Sequence, residues 1–182
     1  MYCAKEIASW FISRNDFDCD MGYTDTKLSN LKLQELLYYA QSCTLAMTGE
    51  RLFSDKIRWF EIQPETNALQ KVPYVPEIYF LYKECETNGT DPENAFPSTL
   101  IDESTQKILE TVYQNFGQFA EWKLREMTTS ELNQIDKWLV SIVKDAIGIQ
   151  SENAENVIVF KGIDSHIPTQ FMKEYFEKHY LE

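Results

Sequence analysis

Ser29-Asn30-Leu31-Lys32-Leu33-Gln34-Glu35-Leu36-Leu37-Tyr38-Tyr39-Ala40-Gln41-Ser42-Cys43-Thr44-Leu45-Ala46-Met47-Thr48-Gly49 is the stretch whose reading decides the fold. It reads as a helix of about five turns, with Ser29 or Asn30 capping its start and Gly49 its end. One stripe holds Leu33, Leu36, Leu37, Ala40 and Met47. A second holds Leu31, Gln34, Tyr38, Gln41 and Leu45, and a third, Lys32, Glu35, Tyr39 and Ser42, is the expected solvent side. Apolar residues on more than one side describe a helix covered by several neighbours, the centre of a domain rather than its rim. The Gln34, Tyr38 and Gln41 stripe must then satisfy its polar atoms internally or meet a partner.

The flanks read as shorter elements around this centre. Upstream, Ile7, Trp10 and Phe11 recur at helical spacing within Cys3–Ser13, and a polar loop follows over Arg14–Lys27. Its Asp16, Asp18 and Asp20 superficially resemble a calcium loop, but the turn glycine and terminal glutamate that such a loop needs are missing. Downstream, Ile57–Ile62 has strand composition and leads to a turn at Gln63–Asn67. Pro76 and Glu77 suit the first turn of a helix opening at Val75. Asn88–Ser98 reads as loop, and Asp102–Asn115 as a helix ended by Gly117. Phe119–Met127 is a short helix. Thr129 or Ser130 would cap a helix over Glu131–Ala146. Val157–Phe160 is a short buried strand candidate, and Pro168 opens a last helix over Thr169–Tyr180. The expected fold is mainly α: a single compact multi-helix domain, residues 1–182, around a central buried helix, with a few short β-strands.

Composition narrows the chemistry. The chain has 182 residues, 43% of them hydrophobic and 14% aromatic, which supports a real core and excludes a disordered class. Seventeen Lys and Arg against 29 Asp and Glu give a net charge of −12, spread evenly along the chain. Without a basic cluster, direct nucleic-acid binding is not expected. An acidic surface can steer a basic protein partner instead, although solubility alone explains it as well. No apolar run approaches the length needed to span a bilayer, and the N-terminus lacks the basic start of a signal peptide, so a cytoplasmic protein is expected.

Cys3, Cys19, Cys43 and Cys85 are scattered, and with His166 and His179 they form no zinc-ligand spacing, so neither metal nor cofactor is expected. The thiols are expected to be reduced, with Cys3 and Cys43 as packing residues. The adjacent Asp164, Ser165 and His166 are no triad, because triads are assembled across a fold rather than from consecutive residues. No glycine-rich phosphate loop or nucleophile elbow occurs, and no enzyme activity is expected.

The run Ser29–Gln41, Ser-Asn-Leu-Lys-Leu-Gln-x-Leu-Leu-Tyr-Tyr-Ala-Gln, resembles the hallmark of the Panacea domain, the SocA-like antitoxin family of phage-associated proteins. Two more segments are similar to that family: Leu52-Phe53-Ser54-Asp55-Lys56-Ile57-Arg58-Trp59, and Val72-Pro73-Tyr74-Val75-Pro76-Glu77-Ile78-Tyr79. The late segment Val157–Tyr180 also fits. The family glycine is replaced by Val72, its usual histidine by Thr129, and insertions fall near residues 61–70 and 128–156.

The resemblance implies an antitoxin that neutralises a cognate toxin protein, encoded next to it, by direct contact. The domain is paired in that family with many unrelated toxins, and one member delivers its toxin to a cytoplasmic protease, so a proteolytic adaptor is the alternative. A stand-alone small-molecule sensor or enzyme is the further rival. Candidate partner-contact residues are Lys32, Gln34, Tyr38, Tyr39, Gln41, Trp59, Tyr74 and Tyr79. Tyrosine and tryptophan suit such a face because they bury area and keep a polar tip. Packing inside the domain explains the same residues without a partner.

Overall fold

The computed structural model describes residues 1–63, 69–96, 99–147 and 166–181. Ser29 and Gly49 bracket the central helix, α2 (Asn30–Thr48), as their residue types dictate. The Ser29 hydroxyl accepts from the Lys32 N–H, and Gly49 takes a left-handed φ of 76° so that its N–H reaches the Leu45 carbonyl at 2.9 Å. Before it runs α1 (Ala4–Asp20); after it come β1 (Arg58–Ile62), β2 (Gln70–Tyr74), α3 (Pro76–Asn88) and the one-turn α4 (Pro92–Ala95). Then follow α5 (Glu103–Val112), α6 (Glu121–Leu132), α7 (Ile135–Ile147) and α8 (Thr169–Phe176). A wider π turn continues α5 over Tyr113–Gly117 and α8 over Glu177–Leu181. The fold is mainly helical with a small two-stranded antiparallel sheet, in a single compact domain.

Fourteen of the nineteen α2 residues are buried, so the helix is enclosed on every side. The α1, α3, α5, α6, α8 and β2 elements all pack on it. Its expected solvent side is therefore corrected: Glu35, Tyr39 and Ser42 have no exposed surface, Lys32 is half-buried, and Met47, read as core, is exposed. The reason is that α6 and the C-terminal turn cover this face and supply polar partners to some of it.

The α1 helix runs to Asp20, past the loop expected from Arg14. Arg14 pairs with Asp18 one turn on and with Glu110 of α5, and Lys27 pairs with Asp16. These cations neutralise the acids that would otherwise repel along the last turns. At the other end the Cys3 N–H donates to Glu6 Oε2 at 2.8 Å, half of a capping box, which leaves Cys3 itself exposed rather than packed.

No strand is expected from the sequence at Gln70–Tyr74, yet β2 forms there, antiparallel to β1 with Arg58 opposite Tyr74, Phe60 opposite Val72 and Ile62 opposite Gln70. Pro73 lacks an N–H for a ladder, which a two-stranded ribbon tolerates. Instead of capping a helix at Glu131, Thr129 lies inside α6. Its hydroxyl accepts from the Lys71 N–H and donates to the Lys71 carbonyl, both at 3.1 Å, tying α6 to β2. The helix break falls later, at Asn133 and Gln134, before α7. The expected loop Asn88–Ser98 contains α4, capped by the Asp91 carboxylate. The strand expected at Val157–Phe160 and most of the turn expected at Gln63–Asn67 lie outside the described residues. Among the described residues no helix is long and apolar enough to cross a membrane.

Candidate functional site

The polar residues of the Ser29–Gln41 run divide into a buried set and a surface edge. Gln34 and Gln41 are both buried, and the amide oxygen of each accepts from backbone N–H. The Val75 N–H donates to Gln34 Oε1 at 2.8 Å, and Gln34 Nε2 donates to Asn30 Oδ1 at 3.1 Å. Gln41 Oε1 accepts from the N–H groups of Leu52 and Phe53 at 3.0 and 3.1 Å, and its Nε2 donates to the Phe53 carbonyl at 3.2 Å. Asn30 Nδ2 donates to the Tyr79 carbonyl at 2.9 Å. The helix run and the two following segments of the resemblance are thus joined directly, side chain to backbone.

Tyr38 and Tyr39 are adjacent in sequence, yet both hydroxyls reach Glu131 of α6. Tyr38 donates to Oε2 at 2.9 Å and Tyr39 to Oε1 at 3.0 Å, and Tyr180 of the last turn adds a third bond to Oε1 at 2.6 Å. Burial raises the Glu131 carboxyl from its ordinary range, while the three phenols work against that shift. The phenols themselves are pushed far up, first by burial and then by the facing carboxylate. Tyr39 also stacks on Phe116 with centroids 3.9 Å apart. Glu131 was not singled out from the sequence, and nothing within its own neighbourhood signals that two tyrosines over ninety residues upstream converge on it.

Lys32 sits at the edge of α2. Burial pushes its ammonium below the usual lysine value. One turn on, Glu35 is fully buried, neither of its oxygens has a hydrogen-bond partner, and burial pushes its carboxyl up to about 9. Arg125 and Lys32 oppose that shift, but Arg125 is paired with Glu121, which also accepts from the Ser29 hydroxyl. At neutral pH Glu35 is therefore a neutral acid.

Trp59, Tyr74 and Tyr79, like Lys32, are half-buried. Trp59 lies under the Lys71 ammonium, 4.5 Å from ring centroid to Nζ, on the opposite face of the ribbon from Tyr74. Tyr74 and Tyr79 meet at 5.7 Å, and Phe60 closes an edge-to-face triangle with them at 5.2 and 5.7 Å. Phe80 extends the cluster at 5.4 Å from Tyr79 and is 62% exposed. Phe60 and Phe80 belong to this aromatic corner although the sequence reading did not include them. Alternation along β1, which places Phe60 beside Tyr74 across the ribbon, is the signal that could have found the first. The structure thus separates the eight candidates into a buried group (Gln34, Tyr38, Tyr39 and Gln41), the edge residue Lys32, the corner pair Tyr74 and Tyr79, and Trp59 on the reverse face. Among the described residues no three His, Cys, Asp or Glu side chains gather as a metal would require. Of the Asp164–Ser165–His166 run only His166 is described; its backbone bridges to Arg58.

No protein-family model matches this chain, and no curated protein and no solved structure matches it.

Proposed function

We propose that this chain is a binding protein that neutralises a partner toxin by direct contact, and that the corner formed by β1, β2 and the first turns of α3 is its contact face. The observation that carries the reading is the aromatic cluster of Phe60, Tyr74, Tyr79 and Phe80, outermost at Phe80. Large rings already packed on one another lose little freedom on docking and bury much area, the character of interface hot spots. The corner is also held by the run that suggested the family, since Gln34 grips the Val75 N–H and Asn30 the Tyr79 carbonyl. In this reading the buried residues of the run position the corner, and only the corner meets the partner. The net charge of −12 would favour encounter with a basic partner.

The test is co-expression with the product of the adjacent gene, scored by growth and by pull-down. Wild-type chain should rescue growth and co-purify, whereas Phe80→Ala and Tyr79→Ala should lose both while keeping wild-type circular dichroism. Neutralisation by Phe80→Ala at wild-type strength would refute the contact face. A neighbour that is harmless alone and does not bind would refute the antitoxin reading.

A further inference from the structure

Between the end of α1, the loop 21–29, the start of α2 and the start of α6 lies an open cleft of about 670 Å³, the size of sites that take small organic ligands. Its lining inverts the composition of the chain. Arg14, Lys27 and Lys32 stand against Asp18 and Glu121, three cations to two acids in a protein with 17 to 29. Most of these charges are already spoken for. Arg14 is held by Asp18 and Glu110, Lys27 by Asp16, and Glu121 by Arg125 and the Ser29 hydroxyl.

Lys32 is the exception. Among the described residues no hydrogen bond or ion pair reaches its Nζ, though it is half-buried at the cleft. Two carboxyls act on it: Glu121, already held by Arg125 and the Ser29 hydroxyl, and Glu35, fully buried with both oxygens unpartnered and pushed up to about 9. Two helices of 19 and 12 residues also begin at this cleft, α2 at Ser29 and α6 at Ala120. Ala120 offers no side-chain cap; the Lys123 N–H turns back to the Ala120 carbonyl at 2.9 Å, and the N–H groups of Glu121 and Trp122 ahead of it carry the positive dipole end of α6. Phe119 and Tyr113 add apolar wall beside them.

We infer that this cleft is a binding site for a small oxyanion-bearing molecule, a phosphate monoester or a carboxylate with an aromatic or apolar body, with its anion on the Lys32 ammonium and the first-turn amides of α6. A half-buried ammonium without a hydrogen-bond partner, lining the same cleft as oriented N–H groups, supplies both charge and direction for such a group. The inference is independent of the partner-protein reading, since the cleft shares no residue with the aromatic corner.

Titration of the isotope-labelled chain with inorganic phosphate, phenyl phosphate and benzoate, at constant ionic strength, tests it. Saturable amide shifts at Asn30, Leu31, Glu121 and Trp122 are expected, with phenyl phosphate or benzoate binding at least tenfold tighter than inorganic phosphate because of its ring. The better of the two aryl ligands distinguishes a phosphate site from a carboxylate site. Lys32→Met, which keeps the stem and removes the charge, should weaken binding at least tenfold, and Lys32→Arg should largely restore it. Absence of saturable shifts with all three probes in the wild-type chain would overturn the inference, and so would a Lys32→Met chain that binds as the wild type does.

Discussion

Replacing Glu35 by Gln should stabilise this protein, and by an amount that grows with pH. Glu35 is fully buried, neither carboxyl oxygen has a hydrogen-bond partner, and its carboxyl is pushed up to about 9, against an ordinary value of 4.5. Between those two values the folded chain holds a proton that the unfolded chain releases. Unfolding is then increasingly favoured as pH rises, and stability falls by about 1.4 kcal/mol per unit through that window. From pH 6 to pH 8 the loss attributable to Glu35 is about 2.7 kcal/mol, a sizeable part of the ~5–15 kcal/mol that holds a domain together. Glutamine imitates the neutral acid in shape and does not titrate. Urea denaturation followed by fluorescence of the four tryptophans, at pH 6, 7 and 8, would measure both chains. Glu131 and every other titrating group are common to both, so the difference between them isolates Glu35. The stability advantage of Glu35→Gln should widen by about 2.7 kcal/mol across the two units. A difference that stays constant with pH would mean that Glu35 is ionised throughout, and would refute the account of a neutral buried acid.

Three other perturbations have definite expectations. Tyr180→Phe removes one of three phenol bonds to Glu131, and should cost about 1.5–3 kcal/mol, read from chemical denaturation at pH 7. Gln41→Ala should cost more than Tyr180→Phe, because it frees two buried N–H groups and a carbonyl at Leu52 and Phe53 at about 1–3 kcal/mol for each group left unmet; amide hydrogen exchange at those two residues should rise with it. Gly49→Ala places a methyl group where φ is 76° and should lower stability by about 1 kcal/mol, whereas the same change at Gly117, where φ is not positive, tests packing against the Tyr113 ring at 3.0 Å instead.

The sequence made the ends of α2 legible because caps are local: Ser29 and Gly49 act on their own helix within four residues. The central position of α2 was legible too, since apolar residues appear on several of its sides. Which side faces water was not. Lys32, Glu35, Tyr39 and Ser42 look like a solvated stripe until Glu131 arrives from α6 to receive the Tyr39 hydroxyl. The end of α1 failed for a similar reason, because Glu110 lies on another helix and Lys27 beyond the turn. Thr129 has the residue type of a cap, but its hydroxyl is drawn to the Lys71 backbone, in a strand that no local pattern signalled. In the candidate site, Tyr74 and Tyr79 stood out in the sequence only as aromatics beside two prolines, with packing inside the domain explaining them without a partner. Phe60 joined them only through the register of the ribbon, and the buried amides showed their targets only once α2 was in place.

The two glutamine amides of α2 have a consequence for how single-valued the native state is. An all-apolar stripe tolerates a helix that rotates or slides by a fraction of a turn, because one methyl group contacts another almost as well. Gln34 and Gln41 do not tolerate it. Their oxygens meet Val75, Leu52 and Phe53 backbone at 2.8–3.1 Å, so a slide of one residue, about 1.5 Å, abandons buried groups at both ends of the helix together. The amides act as two address labels two turns apart, one naming the entry to α3 and the other the chain just after α2. Leucine at both positions would keep the volume and remove the addresses, leaving a chain that still collapses around α2 but in several nearly equivalent alignments.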